Sequence, residues 1–317
     1  MHWSINGQSP EFLAATRMIS LSDSIVKAIV SELGLLPGMS VLDVGCGSGE
    51  YCIRLGSAVK DVAFTGLDYD ELFVEFANKR TRDEASWPFE APNRCNSYRF
   101  VRGDGLNLPF DDETFDAVVS HTYLTAVPDY ERALTEMRRV CKQNGTVSSV
   151  TNLTDNFYGS GIIGLFSDTA TRSTAGSVMS LPANRELVER MNAVFASIVP
   201  DMPMTAGIAP RNVPAAFADA GLKDIRCRPL GQYFCLSDAR TDPIQSRRYI
   251  ELLHLIEHRR LAIIENDPRA RSLIGEDEIR EFARLADARR DELAAAIGQN
   301  VEWNWFGNAS LLVCATR

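Results

Sequence analysis

The chain has 317 residues and carries 33 Lys and Arg against 42 Asp and Glu, a net charge of −9. With 45% hydrophobic and 24% charged residues it holds ample apolar material for a packed core, which excludes a mainly disordered chain. The acidic balance argues against non-specific nucleic-acid binding, which needs a positive surface to displace counterions from phosphates.

The length allows one enlarged domain or two small ones. The seven cysteines are odd in number, scattered, and form no Cys-x-x-Cys, so neither a disulfide framework nor a structural zinc site is expected. The first residues, Met-His-Trp-Ser-Ile-Asn-Gly, lack the basic start and apolar stretch of a signal peptide. No apolar run approaches the roughly 20 residues that span a bilayer, so the expected compartment is the reducing cytoplasm. No membrane span and no nucleic-acid partner are expected.

In chain order, Val41–Val44, Val62–Asp68, Tyr98–Val101, Phe115–Val119 and Thr146–Val150 read as five short buried strands. Helical spacing falls between them, as at Leu72, Phe73, Phe76 and Ala77, then at Ala133, Leu134, Met137 and Val140. Strands alternating with helices predict an α/β fold with a parallel sheet covered on both faces. A sixth strand, Asp224–Arg228, follows a short helix ending at Ala220-Gly221, where glycine suits the helix C-terminus. A seventh, Ser310–Cys314, closes the chain. Between the last two strands lie two amphipathic helices, one through Tyr249, Leu252, Leu253, Ile256, Ile263 and Ile264, the other through Ile279, Phe282, Ala283, Ala286, Leu293 and Ile297.

The informative motif is Asp43-Val44-Gly45-Cys46-Gly47-Ser48-Gly49, at the turn from the first strand into a helix. Glycines there let backbone approach a ligand, and the following helix presents free N–H groups. The third glycine of a dinucleotide fingerprint would fall at position 50, which is Glu50, so a pyrophosphate-holding turn is disfavoured. Asp68 ends the second strand, where a carboxylate can accept from both ribose hydroxyls, and Asp104 lies just past the third. Three acids at the carboxyl ends of adjacent strands suit a cationic nucleoside without phosphate.

These stretches, together with Gly103–Phe110 and Asp112–Val118, resemble the ordered motifs of class I S-adenosylmethionine-dependent methyltransferases, in particular the ubiquinone/menaquinone methyltransferase-like, small-molecule branch. The resemblance covers about 115 residues. It implies a Rossmann-like, seven-stranded, mostly parallel sheet with an antiparallel last strand and helical lid insertions. It also implies S-adenosylmethionine as cosubstrate. Gly45, Cys46, Gly47 and Gly49 would then pass beneath the methionine part, with Asp43 orienting the loop. Asp68 would bind the ribose, Tyr69 would cover adenine, and Asp104 with Gly105 would meet its amino edge. Ser120 and Arg17 join this set, Arg17 either pairing with the donor carboxylate or lying solvated on its helix.

After the fourth strand comes Ser120-His121-Thr122-Tyr123-Leu124, without the Asn/Asp-Pro-Pro-Tyr of base-amino methyltransferases. His121 and Tyr123 are the candidate catalytic residues. His121 either takes a proton from the acceptor or packs beside the donor.

In such a sheet, the segments after the fifth and sixth strands leave and return at the ligand edge. The expected organisation is therefore an N-terminal helical lid segment (1–35), a donor-binding core (36–151), a lid insertion (152–210), core continued (211–237), a helical insertion (238–300) and a last core strand (301–317). Trp303, Trp305 and Phe306 would line the lid or serve as core aromatics. The expected activity is methyl transfer to a small, partly apolar acceptor, with the O-, N- or C-atom and the oligomeric state open. Alternatives are a protein or RNA methyltransferase, or a non-catalytic donor-binding module.

Two further signals carry less. His254-Leu255-Ile256-Glu257-His258 fits a zinc-peptidase pattern, with Glu276 or Glu278 as a guessed third ligand. No metal is expected, the bland reading being a charged helix face. Gly159-Ser160-Gly161-Ile162-Ile163-Gly164 has dinucleotide spacing but no surrounding strand–helix–strand unit.

Overall fold

The computed structural model describes residues 9–82, 89–152, 165–166, 177–198, 207–235, 242–299 and 305–317, with backbone only at 232–235 and 305–308. The Gly159–Gly164 motif and Trp303 lie outside these residues, as do the side chains of Trp305 and Phe306.

Two helices open the chain, α1 (Pro10–Ser20) and α2 (Asp23–Leu33). Ser9 caps α1 by accepting the Phe12 N–H, and proline stands at its first turn, where no donor is wasted. There follow β1 (Ser40–Val44), α3 (Glu50–Ser57), β2 (Ala63–Asp68), α4 (Glu71–Arg82), β3 (Ser97–Arg102), β4 (Phe115–His121), α5 (Tyr130–Val140) and β5 (Cys141–Asn152). After α6 (Pro182–Ile198) and α7 (Val213–Asp219) come β6 (Lys223–Cys235), α8 (Pro243–Asn266), α9 (Pro268–Arg271), α10 (Glu276–Ala296) and β7 (Trp305–Thr316).

The seven strands form one sheet in the order β3-β2-β1-β4-β5-β7-β6. β1 runs parallel to β2 and β4, β2 to β3, and β4 to β5, whereas β7 runs antiparallel to β5. Alternation along the strands divides the core. Val41, Phe64 and Val119 face a layer with Ile25, Ile29 and Leu55, while Leu42, Val44 and Val118 face Leu134, Met137 and Phe217. The α/β architecture is thus the doubly covered one that strand–helix alternation predicts.

The strands run longer than their apolar centres. β5 starts five residues before Thr146, directly after α5, because Cys141 pairs with Phe115 before the register shifts. Lys142-Gln143-Asn144-Gly145 is carried inside this irregular ladder. β6 and β7 likewise extend well beyond their expected centres. The helix α6 is an addition, although Val188, Met191, Phe195 and Ile198, all buried, have helical spacing.

The chain divides into two compact units. One contains 1–155, 202–232 and 308–317, and so carries most of the sheet; the other contains 156–201 and 233–307. Within the first unit, buried Arg54 fastens the N-terminal helices to the core. Its Nε donates to the Leu21 carbonyl at 3.0 Å, and its other nitrogens pair with Asp23 and Glu90. Arg54→Met should cost about 3 kcal/mol in urea unfolding, the lower end for a broken buried pair, because both acids keep access to water. In the second unit, α8 packs along α10, and Leu253 and Ile256 on the one and Phe282 and Leu293 on the other are buried.

Candidate functional site

β1 has β2 on one side and β4 on the other, so the chain moves outward from β1 to β3 and then crosses back. That reversal opens a crevice at the carboxyl ends of the strands. A cavity of about 440 Å³ lies there, within the range of small-molecule sites.

Its lining contains Asp43, Gly45, Cys46, Gly47, Asp68, Tyr69, Asp104, Gly105, His121, Tyr123 and Arg17. Two expected members are placed otherwise. Ser120 is fully buried and its hydroxyl bonds Ser149 at 3.1 Å, since the strand's alternation turns it into the sheet layer. Gly49 stands just behind the lining as the residue that opens α3, with φ +74°. A side chain at Gly49 would meet the Phe100 ring and Ala77, so glycine there serves both the turn and close packing.

The acids divide their work differently from the motif's implication. Gly47 N–H donates to Asp68 Oδ2 at 2.8 Å, and Asp70 N–H to Asp68 Oδ1 at 2.9 Å. The loop is therefore held by Asp68 rather than by Asp43. Asp43 is buried, and its Oδ2 accepts from Cys52 Sγ at 3.6 Å, while Oδ1 has no hydrogen-bond partner among the described residues. Loss of water raises Asp43 to about 7, the Cys52 bond opposing it and Asp68 adding to it. The same loss raises Asp68 to about 6 against its backbone donors. Asp104 stands at the exposed rim and accepts the Leu106 N–H at 2.9 Å.

His121 is buried, with its ring 5.3 Å from that of Tyr51, and Nδ1 has no partner among the described residues. Burial, and secondarily the Arg17 charge, hold its pKa well below 6.5, so the imidazole is neutral and weakly basic. Arg17 is not a solvated helix residue. It lines the cavity and donates to Thr122 Oγ1 at 2.8 Å. Thr122 sits at φ +58°, a strained position for a β-branched residue. It is anchored there by its N–H on the Val150 carbonyl at 2.8 Å and its hydroxyl on the His121 carbonyl at 2.7 Å.

Tyr123 forms a wall of the cavity. Its ring packs on Gly45 and its hydroxyl end on Gly105, and burial pushes its pKa far above the usual phenol value. Sequence reasoning missed Leu13, Ser48, Tyr51 and Thr122, which also line the cavity. Ser48 lies inside the glycine motif and was there to be read; a positive φ at threonine has no sequence signal.

The zinc-peptidase arrangement is not formed. Glu257 is buried and its Oε1 accepts the Leu165 N–H at 3.1 Å, with Arg260 at 3.5 Å. Glu276 pairs with Arg271, and Glu278 accepts the Gly275 N–H and pairs with Arg190.

Residues 42–149 match a family model described as a methyltransferase domain. Demethylmenaquinone methyltransferase of Staphylococcus aureus strain MRSA252 is 36% identical over 122 residues, which cover 38% of this chain and 46% of that protein. The protein of the same description from strain JH9 is 35% identical over the same lengths. This chain thus spans about half the length of the curated relatives it matches. Among solved structures, the YcgJ protein of Bacillus subtilis aligns over 92% of this chain and 97% of its own, at 15% identity and a TM-score of 0.46. Residues 42–149 thus carry a methyltransferase domain.

Proposed function

We propose that the protein transfers the methyl group of S-adenosylmethionine to a small, partly apolar acceptor. The observation that supports this most is the convergence of Asp43, Asp68 and Asp104 with the glycine loop on one cavity. The donor supplies a sulfonium already activated for displacement, so the methyl carbon passes to an acceptor lone pair, sulfur leaves as a neutral thioether, and the acceptor loses a proton. What remains for the protein is to hold, align and exclude water. Asp68 keeps the glycine loop in place and offers oxygens to a ribose. Asp43 puts a carboxylate beneath the loop, and Tyr123 with Gly45 and Gly105 shapes the wall.

Leu13, Leu106, Ala126 and Val127 give the cavity its apolar lining, and the net charge of −9 does not favour an RNA acceptor. The curated relatives carry the name demethylmenaquinone methyltransferase, which accords with an apolar acceptor, but the shared 122 residues lie in the donor-binding stretch. We assign a lid role to the first N-terminal helix, whose Leu13 and Arg17 line the cavity.

Following a radiolabelled methyl group from S-adenosylmethionine into size-separated cell extract tests the acceptor class. Label in the small-molecule fraction supports it; label in protein or RNA overturns it. No transfer despite donor binding would favour a binding module. S-adenosylhomocysteine at 100 times its dissociation constant should add about 2.7 kcal/mol of stability, and Asp68→Ala should abolish that gain.

His121 is assigned a packing role beside the donor. His121→Asn should therefore lower kcat less than about 10-fold, whereas loss of a general base costs about 10²–10⁴. Single-turnover methyl transfer by the variant separates the two.

A further inference from the structure

The second unit holds a cluster that methyl transfer does not use. His254 and His258 lie one turn apart on α8, and Asp287 faces them from α10. His254 Nε2 is 2.7 Å from Asp287 Oδ1 and 3.0 Å from His258 Nε2, and His258 Nε2 is 3.4 Å from the same Oδ1.

Three such atoms cannot all be joined by hydrogen bonds. A neutral imidazole has one N–H, and a carboxylate has none. If His258 Nε2 carries the proton, the 2.7 Å contact sets the His254 lone pair against a carboxylate oxygen. If both Nε2 atoms carry protons, the 3.0 Å contact sets two N–H groups against each other. If His254 Nε2 alone carries one, that single N–H is shared between Asp287 Oδ1 and His258 Nε2, and the His258 lone pair faces the same carboxylate oxygen at 3.4 Å. A cation with vacant orbitals satisfies all three lone pairs together.

The dimensions agree. The corners of this triangle lie about 1.8 Å from its centre, so an ion about 1 Å above the plane would be about 2.0–2.1 Å from each ligand, the zinc–nitrogen and zinc–oxygen length. The chemistry agrees as well, since two imidazoles and a carboxylate are borderline donors for zinc. Side-chain exposures of 16% for His254, 39% for His258 and 51% for Asp287 leave the fourth position to solvent. Arg290 competes for Asp287 Oδ1 at 3.8 Å, but its guanidinium is also engaged by Asp291 at 2.8 Å.

We propose that His254, His258 and Asp287 form a three-ligand divalent-cation site, zinc by preference, that clips α8 to α10. It is no peptidase centre, because Glu257 is turned to Leu165. Metal binding there adds to the stability of the helical pair, since the unfolded chain offers no preformed triangle.

The test titrates the chelator-stripped full-length protein with zinc chloride against a chromogenic competitor. The expected result is one equivalent per chain and a rise in Tm. His258→Gln and Asp287→Asn, both at solvent-accessible positions, should each weaken binding at least 10-fold and remove the rise. Cobalt chloride should separately shift the histidine ring proton signals of His254 and His258 in wild-type protein. Absence of stoichiometric binding overturns the site, as does wild-type affinity in either variant. Loss of binding on alkylating the exposed thiols of Cys95 and Cys227 would assign the metal to cysteine and also overturn it.

Discussion

Gly45→Ala should weaken S-adenosylhomocysteine binding at least 100-fold while leaving a folded protein. Gly45 has φ +73°, and a Cβ there would stand 2.5 Å from Tyr123 Cδ2 and 2.8 Å from its Cγ. The left-handed backbone costs an alanine about 1–2 kcal/mol, and forcing a methyl into packed space about 1–3 more. Together these are less than the 5–15 kcal/mol that typically separates folded from unfolded domains. The strain is relieved only by moving the loop or the Tyr123 ring, and both line the donor cavity. Gly34→Ala is the matched control. It has φ +63° but no atom within 4 Å of the added carbon, so it carries the backbone cost without the clash. Urea unfolding and calorimetric titration of both variants separate the effects. Equal loss of binding in the two would show that the contact with Tyr123 does not shape the site.

Sequence and structure agree where chemistry is local. The expected segments fall on every strand of the sheet, and the glycine loop with three strand-end acids identifies the cavity. Strand ends were less legible, because they depend on partners. β5 reaches back to Cys141 only because Phe115 offers a ladder position across a register shift. Long-range pairings were hidden altogether. Nothing in the motif says that Asp68, 21 residues on, rather than Asp43 holds the Gly47 N–H. Nor does the spacing of Arg17 reveal that it meets Thr122, 105 positions away. The paired histidines show the same limit: their four-residue spacing is visible in one helix, but Asp287 comes from another. What is missing in each case is the tertiary partner, which periodicity does not encode.

The second large effect concerns Asp43 and pH. Its pKa in the folded protein is about 7 against 3.8 when free, with burial as the chief cause. The folded state therefore binds the proton more tightly than the unfolded one. The resulting stability is fully present below about pH 4, is lost as pH rises through 7, and changes at about 1.4 kcal/mol per pH unit within that window. Asp68, raised to about 6, acts with the same sign. His121 acts oppositely, because its depressed pKa makes stability grow as pH rises toward 6.5. The pH profile of wild type alone mixes these contributions, whereas subtracting that of Asp43→Asn isolates Asp43. Relative to this variant, ligand-free wild type should lose about 2–3 kcal/mol between pH 5 and 8.5, read by urea unfolding. Ligand binding must then run the other way for a cation. Ionised Asp43 favours the sulfonium of S-adenosylmethionine, whereas the thioether of S-adenosylhomocysteine is neutral and otherwise carries the same groups. The ratio of the two affinities should rise in favour of S-adenosylmethionine several-fold from pH 5.5 to 8, and this rise should vanish in Asp43→Asn. A ratio independent of pH in wild type would place the sulfonium away from Asp43 and leave Asp68 and Asp104 to hold the nucleoside alone.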